Sequence, residues 1–566
     1  MLEDFDLNNI QDIEQARKCI VKMLNLIETL KSESRELRER VQRLRDENNR
    51  LKGEQGKPDV KPNSCKQGSS KRSTGEQKQS SSNQSSNHSS ERERHKPKKW
   101  KKGSKLDRIE IDREEVLHVD PESLPEDAEF KGYKDIVVQD IEIRTDNVLF
   151  RKEKYYSASE HKTYLANLPP GYDGQYGPGI ESLAIVMHFG MNMTQPKILE
   201  FFHDFGILIS AGEISNILIE DRDTFHTEKD AIYESGLRSS PWQHIDDTSA
   251  RVKGQNQYCQ IVCNPLHTTY FTTEKKNRLT VIDVLKNLAP RTFLLNAEAF
   301  ELLQALNLSA RVIAQVKQFP RERELSEKEF IALLDSHLPD LGPQQRRRVL
   351  DATAVAAYHA QLEFPVIRLV ICDDAPQFKL VTEELALCWI HDGRHYKKLS
   401  PYVGHHRELL EDFRERYWDF YDQLRNYREH PNAGDRARLD EDFDELFSTV
   451  TGYDALDERI AKTKAKKPFM LMALGHPEIP LHNNPAELGA RRRVRHRKIS
   501  YGTRSENGTK ARDTFSTLAA TAKKHNVGFY AYIYDRVSET YEMPSLADLI
   551  TEKAEQLQLG ASWHPP

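Results

Sequence analysis

The run FPVIRLVICDD at residues 364–374 constrains this chain more than any other segment. It is apolar without alternation, so both faces need cover, and a strand of that kind sits centrally in a sheet with helices on either side. It ends on two aspartates, Asp373 and Asp374. A second strand-like run, WQHIDDT at 242–248, also ends on a pair, Asp246 and Asp247. Aspartate is rarely fully buried unless it is paired or holds a metal, and α/β sheets place functional groups where strands leave the core. An α/β fold follows, with an active centre where these two strands stop.

The neighbouring segments extend the pattern. QYCQIVCN (257–264) and HTTYFTTE (267–274) predict two more strands, 280–288 a short helix, and the sequence to about 360 is mostly helical. After 374, TEELALCWIHDGRHYKKL, the charged region 405–466, the segment around NNPAELGARRRVRHRK and the closing TFSTLAATAKKH all predict helices. NNPAELGA, helical from about Pro485, carries a third carboxylate, Glu487. Three strands, a helix, a fourth strand and a later helix, with one acidic residue on each key element, is the arrangement of the ribonuclease-H-like fold. There, oxygen ligands hold two Mg²⁺ ions that clamp the attacking and leaving oxygens of a phosphodiester.

Residues 10–52 carry a heptad repeat. Ile13, Ile20, Ile27, Ser34, Val41 and Asn48 share one seam position, and Ala16, Met23, Leu30, Leu37, Leu44 and Leu51 share the other. β-branched residues at a, Leu at d and a buried Asn favour a parallel dimer; a single amphipathic helix packed on its own domain is the alternative. Residues 53–105 contain SSSNQSSNHSS and a net charge of +9, with eight basic residues between Arg92 and Lys105, the composition of a disordered linker attracted to phosphate backbones. The runs IVVQDIEIRT and VLFRKEKYY predict a small β-rich domain at 106–172. Three short helices follow, the last two resembling a helix-turn-helix with its turn at Phe205–Ser210 and Ser210 as cap, although generic helical packing explains them nearly as well.

No apolar run is long enough to span a membrane and the acidic start is not a secretory signal. Six cysteines without framework spacing suit a reducing cytoplasm. The net charge of −5 does not itself announce a nucleic-acid partner; the clustering of the basic residues does.

The stretches IDDTSARVKGQNQY, ICDDAPQF with CWIHDGRHYKKL, and IPLHNNPAELGARRRVRHRKISYGTRSENGTKA with TLAATAKKHNVGFYAY resemble the catalytic subunit of the insertion sequence sixty-six family of bacterial DDE transposases. The zipper-like front and LPPGYDGQYGPGIESLAIVMHFGMN are similar to that family too. The resemblance implies a metal-binding triad of Asp246, Asp373 and Glu487. It also implies Mg²⁺ with Mn²⁺ able to substitute, and cleavage and strand transfer at insertion-element ends, with accessory proteins of the same element. The implied setting is the cytoplasm, on the nucleoid. The chain departs from the family by having no cysteine from 66 to 258, which removes a four-cysteine zinc site there. Its two aspartates stand 127 residues apart, so the helical sequence between them reads as an insert, and Asp374 follows the second aspartate where the family commonly has glycine.

The expected architecture is a coiled coil at 1–52, a basic linker at 53–105, a zinc-free β-rich domain at 106–172 and a helix-turn-helix-like DNA-binding region at 173–235. A ribonuclease-H-like catalytic domain at 236–540 follows, with insertions at about 290–362 and 400–466, then a tail at 541–566. Alternation gives Trp242, His244 and Asp246 one side of a strand, and Ile371 and Asp373 one side of another. Only one aspartate of each pair can then enter a common site, and the resemblance selects Asp246 and Asp373. Cys388 and His391 form a C-x-x-H pair without a second pair, which favours packing or substrate positioning over zinc. Arg491, Arg492, Arg493, Arg495, Arg497 and Lys498 put six cations in eight residues beside Glu487, an expected DNA contact. Asn483 and Asn484 are expected to cap or orient that helix. The rival readings are a catalytically silent DNA-binding regulator and a coiled-coil scaffold; the scaffold leaves the carboxylate-tipped strands unexplained.

Overall fold

The computed structural model describes residues 12–51, 109–125, 127–172 and 174–563. The expected linker with its basic run 92–105 lies outside these residues. The chain forms two compact units, one of Met1–Pro58 with Phe150–Pro566 and one of Asp59–Leu149. In the smaller unit the described residues hold one helical turn, Pro121–Ser123, and no strand. IVVQDIEIRT has no ladder, and Ile136, Val138 and Ile141 along it are exposed. Alternation supplies the faces of a strand but not the partner that its N–H and C=O groups require. The β-rich domain expected at 106–172 is therefore reduced to the hairpin described next.

The larger unit begins with α1 (Ile13–Leu51) and the antiparallel hairpin β1 (Lys154–Ser157) and β2 (Lys162–Leu165). Four helices follow: α2 (Pro178–Ile185), α3 (Gln195–Asp204), α4 (Ala211–Ile219) and α5 (Asp223–Arg238). Then come β3 (Trp242–Val252), β4 (Gln255–Cys263), β5 (Thr268–Thr273) and α6 (Arg278–Leu285). A first insert holds β6 (Thr292–Phe293), α7 (Ala297–Ala305), α8 (Ala310–Val316), β7 (Leu325–Ser326), α9 (Glu327–His337) and α10 (Pro343–Ala360). After β8 (Leu369–Cys372), β9 (Glu384–Leu387) and α11 (Trp389–Lys398), a second insert holds α12 (Gly404–Glu429), α13 (Ala433–Leu446) and α14 (Asp454–Lys464). The chain closes with α15 (Lys467–Met470), α16 (Asn484–Ser500), α17 (Glu506–Lys524), α18 (Phe529–Val537) and α19 (Leu546–Leu557). Local chemistry sets many of the helix starts: the side chains of Ser210, Asn277, Asn296, Ser309, Ser326, Asn432, Ser505 and Ser545 each accept a backbone N–H of the first turn.

The main sheet has the order β5-β4-β3-β8-β9. β3, β4 and β5 pair antiparallel, while β8 runs parallel to β3 and β9 parallel to β8. The apolar run does sit centrally, with Leu369, Val370, Ile371 and Cys372 all buried. Only those four residues pair, however. Pro365 has no N–H to give a ladder, and the Ile367 and Arg368 N–H groups go to Tyr358 Oη and the Pro241 carbonyl. ELAL, expected to be helical, is β9, and the helix starts only at Trp389.

Three apolar cores form among the described residues: one joins the sheet to both inserts, a small one packs Ala250, Cys259, Ile261 and Tyr270 of β3–β5 against Ala490 of α16, and a third joins α2–α5 to α17–α19. The region 173–235 thus shares its core with the C-terminal helices rather than forming its own. The expected tail is also structural: Leu546 and Ile550 are buried, and the Trp242 indole donates to the Leu559 carbonyl at 2.6 Å. α3 and α4 keep the expected turn, with Ser210 Oγ accepting from the Glu213 N–H at 3.1 Å. The exposed positions of α4, including Ala211, Gly212 and Asn216, hold no cation. No helix among the described residues is long and apolar enough to cross a membrane.

α1 meets the second insert by its back. Val21 lies against Gly452, the Asn25 side chain donates to the Gly452 carbonyl at 2.8 Å, and the Glu28 carboxylate accepts the N–H groups of Tyr402 and Val403 at 2.7 and 3.0 Å. The heptad seam faces away: Ile20, Ile27, Leu30, Leu37, Val41 and Leu44 are all exposed.

Candidate active site

Parallel pairing places His244 opposite Ile371. Two residues further, β3 reaches Asp246 and the chain leaving β8 reaches Asp373. Neighbouring strands are ~4.8 Å apart and alternate residues share a face, so the two carboxylates stand side by side. Burial pushes the Asp246 carboxyl up to about 7, and the negative charges of Asp373, Asp247 and Glu487 add to the effect.

The two members of each aspartate pair have different partners. Asp246 Oδ1 accepts the Asp247 N–H at 2.8 Å, and Asp373 Oδ1 accepts the Ala375 N–H at 3.1 Å. Among the described residues no lysine or arginine pairs with either. Asp247 instead accepts from Lys276 Nζ at 3.0 Å and Gln377 Nε2 at 2.8 Å. Asp374 pairs with Lys379 at 2.8 Å and Lys466 at 2.6 Å. Burial alone would raise the Asp374 carboxyl, but these two lysines hold it below its ordinary value.

Glu487 is carried in by α16, whose start is tied to β3. The Asn483 side chain donates to the Ile245 carbonyl at 2.8 Å and lies 3.0 Å from His244 Nδ1, while its N–H donates to Cys388 Sγ at 3.2 Å. Asn483 thus orients the helix by cross-linking it to the sheet, with no side-chain cap bond to the helix itself. The Asn484 N–H donates to His482 Nδ1 at 3.3 Å. Farther along, Gly489 allows close approach: a Cβ there would lie 2.8 Å from Ile261 Cγ2.

α11 supplies the other wall. Arg394 Nη2 donates to Glu487 Oε2 at 2.9 Å and Nη1 to His391 Nε2 at 3.0 Å. His391 Nδ1 lies 3.4 Å from Glu487 Oε1, and burial lowers the pKa of this imidazole. Ligand atoms of Cys388, His391 and Glu487 lie within 4.8 Å of one another, so Glu487 is the third donor that the C-x-x-H spacing alone does not reveal. Sulfur, nitrogen and oxygen together suit a transition metal. The thiol opposes this use, because burial pushes it up to about 12 and a ligand must be thiolate. The oxygen donors of Asp246, Asp373 and Glu487 are the kind a hard divalent cation takes, but among the described residues these three do not bring their oxygens within 4.8 Å of one another as Cys388, His391 and Glu487 bring theirs. The oxygen set pools carboxylates with little cationic relief, and Glu487 Oε1 is buried with no hydrogen-bond partner.

The basic run of α16 divides. Arg493 is buried and pairs with Asp513 at 3.0 Å, Arg492 donates to the Phe189 carbonyl at 3.2 Å, and Arg497 binds Ser249. Arg491, Arg495 and Lys498 are exposed. A run of charges looks uniform in sequence, but at 3.6 residues per turn it wraps around the helix and part of it must face the fold. Sequence reasoning misses Arg394, Lys276, Lys379 and Lys466. Arg394 lies only three residues beyond His391, within the same helical turn; the lysines come from distant segments and carry no such signal.

No family model matches the chain. Over 324 residues it is 32% identical to the uncharacterized protein y4jO of Sinorhizobium fredii (strain NBRC 101917 / NGR234), a span that takes in 56% of this chain and 99% of that protein.

Proposed function

We propose, for a chain that belongs to the same family as the protein y4jO of Sinorhizobium fredii, that its function is DNA strand cleavage and strand transfer at the ends of an insertion element. The observation that carries this reading is the asymmetry of the two aspartate pairs. Asp247 and Asp374 are neutralised by lysines, while Asp246 and Asp373 sit side by side without one. A part-buried cluster of carboxylates left without cations is costly unless a cation is to be bound there.

The strand order supports a ribonuclease-H-like core: in chain order it is third, second, first, fourth, fifth, with the second strand antiparallel to its neighbours. Asp246, Asp373 and Glu487 would hold Mg²⁺ or Mn²⁺, which supplies the positive charge that in-line displacement at a phosphodiester requires. Asn483 fixes the start of the helix that carries Glu487 against β3. Arg491, Arg495 and Lys498 face solvent beyond Glu487, where they can hold a DNA backbone. α1 joins two copies through its exposed seam in this reading, and the resemblance to the insertion sequence sixty-six family adds its weight. The test is a strand-cleavage assay on element-end DNA with Mg²⁺ or Mn²⁺, comparing the native chain with Asp246→Asn. Cleavage by the native chain alone is expected; none under either metal sinks the reading.

A further inference from the structure

We propose that Arg394 is an exchangeable counter-cation. It holds Glu487 while the carboxylate site lacks a divalent ion, yields it when the ion binds, and then takes a phosphate oxygen of the DNA backbone. This rests on the reading of Asp246, Asp373 and Glu487 as a metal-holding triad.

The two oxygens of Glu487 are treated differently. Oε2 takes the Arg394 guanidinium at 2.9 Å, whereas Oε1 is buried and has no hydrogen bond, with His391 Nδ1 at 3.4 Å. Among the described residues Arg394 is the lysine or arginine that pairs with this triad; the lysines nearby go to Asp247 and Asp374. A single guanidinium leaves three neighbouring carboxylates under-neutralised. A divalent ion satisfies them better, and it repels a fixed positive charge on the same carboxylate. Arg394 and the ion are therefore competitors for Glu487.

The surroundings let Arg394 leave. Its side chain is 32% exposed, against 12% for Glu487, so it lies on the solvent side of Glu487, and to turn outward it gives up its bond to His391 Nε2 at 3.0 Å as well. Exposed Arg491 lies one helical turn beyond Glu487. A planar guanidinium released on that side matches the geometry of a phosphodiester, which it binds with two parallel hydrogen bonds. Charge is conserved at every stage: the arginine moves from a protein carboxylate to a substrate phosphate as the ion takes its place.

The experiment is calorimetric titration of the full-length protein with Mn²⁺ in the absence of DNA, for the native chain, Arg394→Gln, Arg394→Lys and Asp246→Asn. Duplex DNA affinity is measured alongside, against salt, in Ca²⁺. Arg394→Gln is expected to bind Mn²⁺ roughly tenfold more tightly, with Arg394→Lys near the native value, because removing one adjacent like charge favours the ion. The salt dependence of DNA binding should flatten by about 0.9 in logarithmic slope in Arg394→Gln, which gives up one phosphate partner. Mn²⁺ affinity that is unchanged or weaker in Arg394→Gln overturns the inference and makes Arg394 a prop for Glu487. A native chain with no Mn²⁺ site that Asp246→Asn removes overturns the triad reading itself.

Discussion

The side-chain amide of Asn483 donates to the carbonyl of Ile245 at 2.8 Å, one residue before Asp246. A helix start and a residue inside β3 that are 238 residues apart in the chain are thereby locked together. Asn483→Ala leaves that carbonyl and His244 Nδ1 without their buried partner. The expected cost is about 1–3 kcal/mol of stability, together with a fall in cleavage of more than tenfold measured well below the melting temperature. A variant that melts early but cleaves at the native rate would show that the bond serves stability alone.

The two aspartate pairs should separate by both activity and stability. Asp246→Asn, Asp373→Asn and Glu487→Gln are expected to abolish cleavage. Asp247→Asn and Asp374→Asn should retain it, with Asp374→Asn losing roughly 1 kcal/mol of stability through its broken lysine pairs. The Asp246 carboxyl is raised to about 7 in the fold, so the folded chain holds a proton that the unfolded chain gives up near pH 4. Its ionisation therefore opposes folding increasingly as pH rises through that window. Without metal, Asp246→Asn should melt at or above the native temperature at pH 8, and a clear drop would contradict this.

Acid should destabilise the fold through buried neutral histidines. Burial lowers His188 and His244 to about 3 and His226 to about 4; it lowers His496 to about 2 with help from Arg512 and Arg493. Below pH ~6.5 the unfolded chain protonates these rings and the folded chain does not, so stability falls as pH falls, by at most roughly 1.4 kcal/mol per unit for each. Asp246 and Glu228, both raised to about 7 mainly by burial, pull the other way. His496→Gln should flatten the decline between pH 6 and 4 in urea titrations; an equally steep decline would remove His496 from the account.

Two kinds of arginine should emerge along α16. Arg493→Ala strips a buried partner from Asp513 and is expected to cost about 3–5 kcal/mol. Removing Arg491, Arg495 and Lys498 together should leave melting within about 1 kcal/mol of native. It should also reduce the salt slope of DNA binding by roughly 0.9 for each phosphate these side chains neutralise. If the triple variant binds DNA with the native slope, the DNA path does not cross this face.

Substituting Leu30 and Leu37 by Asp in the full chain should convert a dimer to a monomer in sedimentation while leaving core melting unchanged, since both side chains are exposed within one subunit. A chain that is already monomeric before substitution would leave the seam without its expected partner.

The three antiparallel strands and the strand that stops before Asp373 are legible in the sequence because hydrophobic runs and alternation are local signals, whereas the strand expected to end on Asp246 and Asp247 runs on to Val252 through polar residues that pair with β4. Hydrophobicity overstates the span of the central strand, because Pro365 interrupts pairing without interrupting the apolar run. ELAL reads as helix because four apolar-rich residues beside a true helix carry no period of their own; only the β8 edge makes them a strand. The fates of Arg493 and of the lysines on Asp247 and Asp374 depend on partners from distant parts of the chain, which spacing cannot report. The heptad fixes which face of α1 is apolar but gives no sign that Asn25 and Glu28 bind the second insert.

That attachment gives the insert a mechanical meaning. Under the proposed strand-transfer reading, a zipper helix on a loose tether would let the two sites of a dimer wander. Here each helix is bolted by its back to its own subunit through Asn25 and Glu28. Two copies joined along the seam would form a gauge of set width, and the stagger between paired cuts in a target would be a dimension of the protein, independent of the DNA sequence between them.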